Sequence, residues 1–326
     1  MPGGLSNLRT RLFIAGWLFA ANSVLAADLS PAEQLLRMGQ SLRSLDYQGS
    51  FLFQNSGRLD TLRIFHAGGG SSGERERVVS LSGPRGEAVR QGELITSSKQ
   101  GEPAVSFPGG ISARLLPLIP NDPGELPNAS YRLRDGGTER VAGYDSEIVD
   151  ILPIDHFRYG YRLWLERGNQ LPLRVALLAD EQRIVEQYMF VMLSVGTAPA
   201  EAELSLGGVA GKPVPAAANV TLKGAPRWSV SDLPVGYALT GRHATAHADG
   251  KSEQLVFSDG LASVSAYVEP TPDPINDDVA LTRGAMNVYI HRNGSWRYTV
   301  LGNVPAVTVQ RIALSLRPIA SADAPN

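Results

Sequence analysis

The chain has no cysteine in its 326 residues. That excludes a disulfide framework, a thiolate nucleophile and any Cys-ligated zinc or iron–sulfur cluster. Neither sign of charge is in surplus: 30 Lys and Arg stand against 32 Asp and Glu, a net charge of −2. The polybasic footprint of a nucleic-acid-binding protein is missing, so nucleic acid is not expected as a partner. Long apolar runs are also missing. The longest, Leu12 to Ala21, holds about ten residues, half of the roughly 20 that a membrane-spanning helix needs. Neither a phosphate loop nor a dinucleotide fingerprint occurs, and no cofactor is expected.

What is present suits a folded protein. Hydrophobic residues make up 43% of the chain and charged residues 19%, enough apolar matter for a packed core. At roughly 100–200 residues per domain, the length favours two domains. The apolar run near the start follows Arg9 and Arg11 and precedes Val24-Leu25-Ala26. A positive stretch, a short apolar stretch and then small residues make an export signal, residues 1–26, with cleavage expected after Ala26. The remaining 300 residues carry a net −4, and the periplasm of a Gram-negative bacterium is the expected compartment.

Ser30-Pro31-Ala32-Glu33 opens a helix: Ser30 caps, Pro31 fits the first turn and Glu33 completes a capping box. Leu35, Met38, Leu42 and Leu45 then form one apolar stripe. The period changes to two at Tyr47, Gly49, Phe51 and Phe53, Leu62 and Ile64 alternate likewise in the next run, and a meander of short strands follows to Leu193. Its expected strands are Arg75–Ser82, Glu93–Ser98, Tyr131–Arg134, Ser146–Leu152, Tyr161–Glu166, Leu173–Leu178 and Ile184–Leu193. The apolar, Pro-broken segment Ile111–Pro120 is better read as a short helix or lid than as a strand. A long antiparallel sheet with few helices must curl to bury its apolar face. Residues 27–205 are therefore expected to form an open half-barrel, closed by the first helix and this insertion.

The Ala-, Gly- and Pro-rich stretch within Gly196–Gly224 marks a linker, placed at 206–224. Residues 225–318 read as a smaller α+β domain of about five antiparallel strands and one helix, and 319–326 as a tail. Its hairpins are announced by Asp259-Gly260 and Asn293-Gly294. Its helix is announced by Val309, Ile312, Ala313 and Leu316 at helical spacing.

Catalytic signals fail on their context. Gly69-Gly70-Ser71-Ser72-Gly73 formally matches a nucleophile elbow, which needs a strand before the serine and a helix after it. Here polar and then strand-like residues follow (Glu74 to Val79), so a hairpin loop is expected, and a hydrolase using Ser71 stands only as a foil. His243 and His247 are four apart, a zinc spacing on a helix. On a strand end that spacing separates them by over about 13 Å. Asp155-His156 reads as a turn, with no nucleophile or metal partner identifiable. No enzyme is expected.

Binding remains. His156 to Leu165 packs four aromatics and two arginines into ten residues. Alternation sets Tyr159, Tyr161, Leu163 and Leu165 on one face and Arg158, Arg162 and Trp164 on the other. Trp, Tyr and Arg together are what interaction hot spots favour. The competing reading is a core face backed by an ordinary solvated face. A second cluster, Arg292, Trp296 and Arg297, flanks the Asn293-Gly294 turn. Either it is a docking tip or Trp296 folds back onto the sheet.

Arg158 to Leu193 (RYGYRLWLERGNQLPLRVALLADEQRIVEQYMFVML) resembles the signature of the RseB/MucB family of periplasmic sigma-E regulators. Val256–Pro270, Gly284–Arg292 and Tyr298–Pro318 resemble its second domain, and Tyr47–Phe51 its first strand. The resemblance implies a large domain of LolA/LolB lipoprotein-carrier type. It further implies a partner, the periplasmic domain of a membrane anti-sigma factor of the RseA/MucA type, shielded from a site-1 protease of the DegS type. Lipopolysaccharide or lipoprotein acyl chains are the implied releasing effectors, and a homodimer stays open. The acyl-chain pocket is assigned to Leu35, Phe51, Phe53, Ile64, Leu115 and Leu116. Some relatives carry cysteines, so no redox role carries over. The alternative is a periplasmic lipid or lipoprotein carrier with no regulatory partner.

Overall fold

The computed structural model describes residues 29–69, 73–108, 129–180, 183–207, 214–215, 220–244, 252–271 and 278–319. Helix α1 (Pro31–Ser44) opens on the expected capping box. Glu33 N–H donates to Ser30 Oγ at 3.4 Å, and Ser30 N–H donates to Glu33 Oε2 at 2.9 Å. The stripe Leu35, Met38 and Leu42 is buried, and the chain turns at Leu45 into the first strand.

Among the described residues, eleven strands follow before the inter-domain segment. They are β1 (Tyr47–Asn55), β2 (Arg58–Ala67), β3 (Arg75–Ser80), β4 (Gly86–Gln91), β5 (Leu94–Lys99) and β6 (Val105–Pro108). The second half holds β7 (Tyr131–Val141), β8 (Tyr144–Pro153), β9 (Gly160–Glu166), β10 (Pro172–Leu178) and β11 (Ile184–Val195). With β12 (Val214–Pro215) they form a twelve-stranded sheet ordered β12-β6-β5-β4-β3-β2-β1-β11-β10-β9-β8-β7. Two meanders thus meet where β1 pairs with β11, setting Phe51 opposite Phe190 and Phe53 opposite Tyr188. Helix α1 lays its stripe on one face, against Tyr47, Phe51, Ile64, Val149, Ile151, Leu163, Leu165, Tyr188 and Phe190. This agrees with the expected large open antiparallel sheet, with the first helix packed on one face. The Ile111–Pro120 insertion lies outside the described residues.

Two strands, β4 and β6, escape the sequence pattern. Val89 is the one buried residue in β4, and β6 is four residues long and ends on Pro108. Within the expected linker stretch, the 3-10 helix Glu201–Leu204 seats Leu204 on Phe65 and Ala67. Beyond it, β12 runs parallel to β6 at the edge of the large sheet.

The small domain needs a correction. Instead of about five strands, it has a seven-stranded sheet, ordered β13-β15-β16-β17-β20-β19-β18, and a two-stranded ribbon. The sheet comprises β13 (Val220–Thr221), β15 (Ala238–Ala244), β16 (Glu253–Ser258), β17 (Ser263–Pro270), β18 (Val279–Arg283), β19 (Met286–Asn293) and β20 (Trp296–Gly302). The ribbon pairs β14 (Trp228–Val230) with β21 (Leu316–Pro318). The extra strands have physical reasons to be silent in sequence. β13, β14 and β21 are two or three residues long, and every residue of the edge strand β18 is exposed, so none shows alternation. Helix α2 (Ala306–Ser315) packs Val309, Ile312 and Ala313 on Tyr289, Tyr298 and Val300.

Candidate binding site

Arg158 lies in the β8–β9 loop, two residues before β9 begins. Arg158 therefore escapes the alternation that sets Arg162 and Trp164. Its side chain is fully buried, and so is that of Asp259 in the β16–β17 turn of the other domain. Arg158 Nη1 donates to Asp259 Oδ2 at 2.6 Å, Nη2 to the Val235 carbonyl at 2.6 Å, and Nε to Asp155 Oδ1 at 3.1 Å. The guanidinium lies over the rings of Tyr237 (4.9 Å) and Tyr131 (5.6 Å). Asp259 Oδ2 also accepts from Tyr131 Oη at 3.1 Å, and its Oδ1 accepts from the Leu261 and Ala262 amides. Each charge is thus fully bonded, which is the condition for a buried pair to be tolerated at all. Burial first, then the Asp259 carboxylate, pushes the Tyr131 and Tyr237 phenols far above their usual range. Both stay neutral donors.

Around this pair the small domain grips the β8–β9 loop. The Phe157 carbonyl accepts from Thr308 Oγ1 at 2.7 Å and from Tyr237 Oη at 3.2 Å. Asn287 Nδ2 donates to Tyr159 Oη at 3.0 Å, and Arg311 covers the Phe157 ring at 4.6 Å. Gly236 has φ +90°, and a Cβ there would run into Ser130 Oγ, so a side chain is strained there while Ser130 keeps its hydroxyl. The arrangement fixes one angle between the two domains.

The other expected partner residues are placed elsewhere. Arg162 shares the fully buried Asp150 with Arg134: Arg162 Nε reaches Oδ1 at 2.6 Å and Arg134 Nη2 reaches Oδ2 at 2.9 Å. Burial works to raise the Asp150 pKa, but these two arginines outweigh it and hold the carboxyl below its usual value. Trp164 is buried in a second cluster, with Val141, Ile148, Leu173, Ala176 and Leu178. Its indole donates to Glu139 at 2.6 Å, under the Arg174 guanidinium. In the small domain, Trp296 folds back edge-on to Trp228 at 4.8 Å, and Arg297 pairs with Glu269 at 2.8 Å while staying 42% exposed. Arg292 lies opposite Arg297 across the hairpin.

Of the residues assigned to the acyl-chain pocket, Leu35, Phe51 and Ile64 are buried members of the α1 cluster, and Phe53 packs beside it half-buried. Leu115 and Leu116 fall outside the described residues. Of the foils, Asp155 serves a turn, accepting from the Phe157 amide at 2.9 Å. Ser71 and His247 lie outside the described residues. The residues that the sequence reading missed are Tyr131, Tyr237 and Asp259. Asp259 carries a turn signal, and nothing in its spacing announces a partner 101 residues away.

Comparison with known proteins decides the family. Residues 30–207 match the model of the MucB/RseB N-terminal domain and residues 223–317 that of the MucB/RseB C-terminal domain. The chain belongs to the MucB/RseB family. It is 33% identical over 323 residues to the sigma factor AlgU regulatory protein MucB of Pseudomonas aeruginosa, covering 95% of this chain and 98% of that protein. It is 27% identical to the sigma-E factor regulatory protein RseB of Escherichia coli K12, covering 92% of this chain and 94% of that one. Among solved structures, the MucA/MucB complex of P. aeruginosa superposes with a TM-score of 0.72 at 30% identity, over 89% of this chain and 99% of that chain. The MucB/RseB relatives are regulators of sigma factors, and apart from the two-residue strands β12 and β13 both sheets described above fall within the matched regions.

Proposed function

We propose that this protein is a periplasmic brake on an envelope-stress sigma factor. It binds the periplasmic domain of a MucA- or RseA-type anti-sigma factor and shields it from site-1 proteolysis. Acyl chains of lipopolysaccharide or of lipoproteins, entering the large domain, release it. The observation that carries the reading is the match, over 89% of the chain, to a MucB structure in complex with MucA. The signal-like segment ending at Ala26 supports the compartment. The inter-domain joint at Arg158 supports a binding surface drawn from both domains, because it holds them at one angle.

The test is a protection assay. The cognate anti-sigma periplasmic domain is exposed to its site-1 protease with and without the mature chain, and then with added lipopolysaccharide. The expected result is slower cutting with the chain and restored cutting with lipid. Unchanged cutting in the presence of the chain, together with lipid binding, would instead favour a lipid carrier. Mass spectrometry of the exported protein checks the leader, with an N-terminus at Ala27 expected.

A further inference from the structure

The small domain touches the core of the large one with a half-buried leucine. Leu261, at the tip of the β16–β17 turn, packs against the same cluster that holds Leu35, Phe51, Ile64 and Tyr131. Two residues earlier, Asp259 accepts from Arg158 and from Tyr131, and Tyr131 is itself a member of that cluster. The turn is stiff. The Asp259 amide donates to the Ala262 carbonyl at 3.2 Å, Ser258 Oγ donates to the same carbonyl at 2.9 Å, and Asp259 Oδ1 holds the next amides. One rigid tip thus carries both an apolar contact with the large domain's core cluster and the acid of the buried ion pair.

We propose that this Ser258–Ala262 tip reports the contents of the large domain's interior to the joint between the domains. A packed core does not absorb extra volume in place. Side chains displaced by an entering acyl chain push on Tyr131 and Leu261, and the tip carries Asp259 away from Arg158. Acyl-chain binding and the closed joint then oppose one another, by the same factor in each direction. The inference rests on the reading that an acyl chain enters the large domain, and it names the residues that transmit that event.

Because the chain has no cysteine, one engineered pair is unambiguous. A Cβ at position 236 stands 3.7 Å from that of Ser130, within the range for a disulfide. Ser130→Cys with Gly236→Cys locks the joint shut when oxidised, and the same protein when reduced is its control. Lipopolysaccharide and a diacylated lipopeptide are titrated separately, so that a headgroup requirement is told apart from a need for acyl chains alone. Oxidation is expected to weaken the binding of both at least tenfold, and reduction to restore it. Equal affinity in the two redox states overturns the proposal.

Since the positive φ at 236 disfavours cysteine, Leu261→Ala provides an independent route. Shortening this side chain is expected to strengthen lipopeptide binding and weaken anti-sigma binding, each about threefold or more. Loss of both, or change in neither, contradicts the proposal. If the wild-type chain binds neither lipid, the acyl-chain reading falls and the inference with it. If lipids bind and the lock has no effect, that reading stands and only the inference is lost.

Discussion

The two domains complete their cores in different ways. Among the described residues, the small domain's main cluster runs from Trp228 to Leu316 and draws on its own strands, turns and α2. The large domain's cluster is built by α1 and its sheet but also takes in Leu261 from its neighbour. The same side of the large domain leaves Arg158 without its carboxylate Asp259 if the neighbour departs. The main apolar cluster of one domain is therefore its own and that of the other also takes in a residue of its neighbour, while the polar joint, with Asp259, Asn287 and Thr308 on one side and Arg158 and Tyr159 on the other, is shared.

Removing the joint's cation sharpens that contrast most. Arg158→Ala leaves Asp259 buried beside two neutral phenols, and breaking such a pair from one side costs about 3–5 kcal/mol. The cost is expected in a lowered denaturation midpoint for the jointed chain, since the stranded carboxylate sits in the small domain. Arg297→Ala, in the small domain and away from the joint, removes a partly exposed pair with Glu269 and is expected to cost under about 1 kcal/mol. Equal losses in the two variants would break the comparison.

Gly236→Ala comes next. It forces a side chain to φ +90° and sets a methyl against Ser130. A loss of about 1–3 kcal/mol is expected, confined to the joint. Hydrogen exchange at Val235 to Tyr237 and at the β8–β9 loop should rise, with the α2 amides unchanged.

Asp150→Asn tests the large domain away from the joint. At neutral pH it is expected to lose about 1–3 kcal/mol, since charge-assisted bonds to Arg162 and Arg134 weaken. The folded carboxyl titrates below its ordinary value of 3.8. Its contribution is thus complete above that pH and disappears as the pH falls through the depressed folded value. Denaturation of the two proteins at a series of pH values should show the gap closing below pH 3.8. A gap that widens on acidification contradicts the assignment. The smallest effect is expected from Ser30→Ala, which removes the cap of α1 and costs about 1 kcal/mol in thermal stability.

Local signals made much of this legible in the sequence. The capping box at Ser30–Glu33, the stripe of α1, the turns at Asp259-Gly260 and Asn293-Gly294, and the spacing of α2 are each set by residues within a few positions of one another. What stayed hidden depends on distant residues. β18 shows no alternation because it is an exposed edge, and β4 buries one valine. Arg158 looked like one more arginine of an aromatic strand, because its role is defined by Asp259, Tyr131 and Val235, remote in the chain. Trp164 looked like a surface anchor, because the apolar cluster on its side of the sheet is assembled from four strands. The family resemblance carried what spacing could not, and the matched models cover both domains.

The central claim is that the whole, jointed chain holds an anti-sigma periplasmic domain. Calorimetric titration of the cognate MucA-type domain into the mature chain, and into the small domain alone, tests it most directly. Saturable binding to the whole chain at micromolar Kd or tighter, about −8 kcal/mol or better, is expected, with at least a tenfold loss for the small domain. Binding of equal strength to both would show that the joint is irrelevant to the partner. No binding to the whole chain at tens of micromolar would contradict the account.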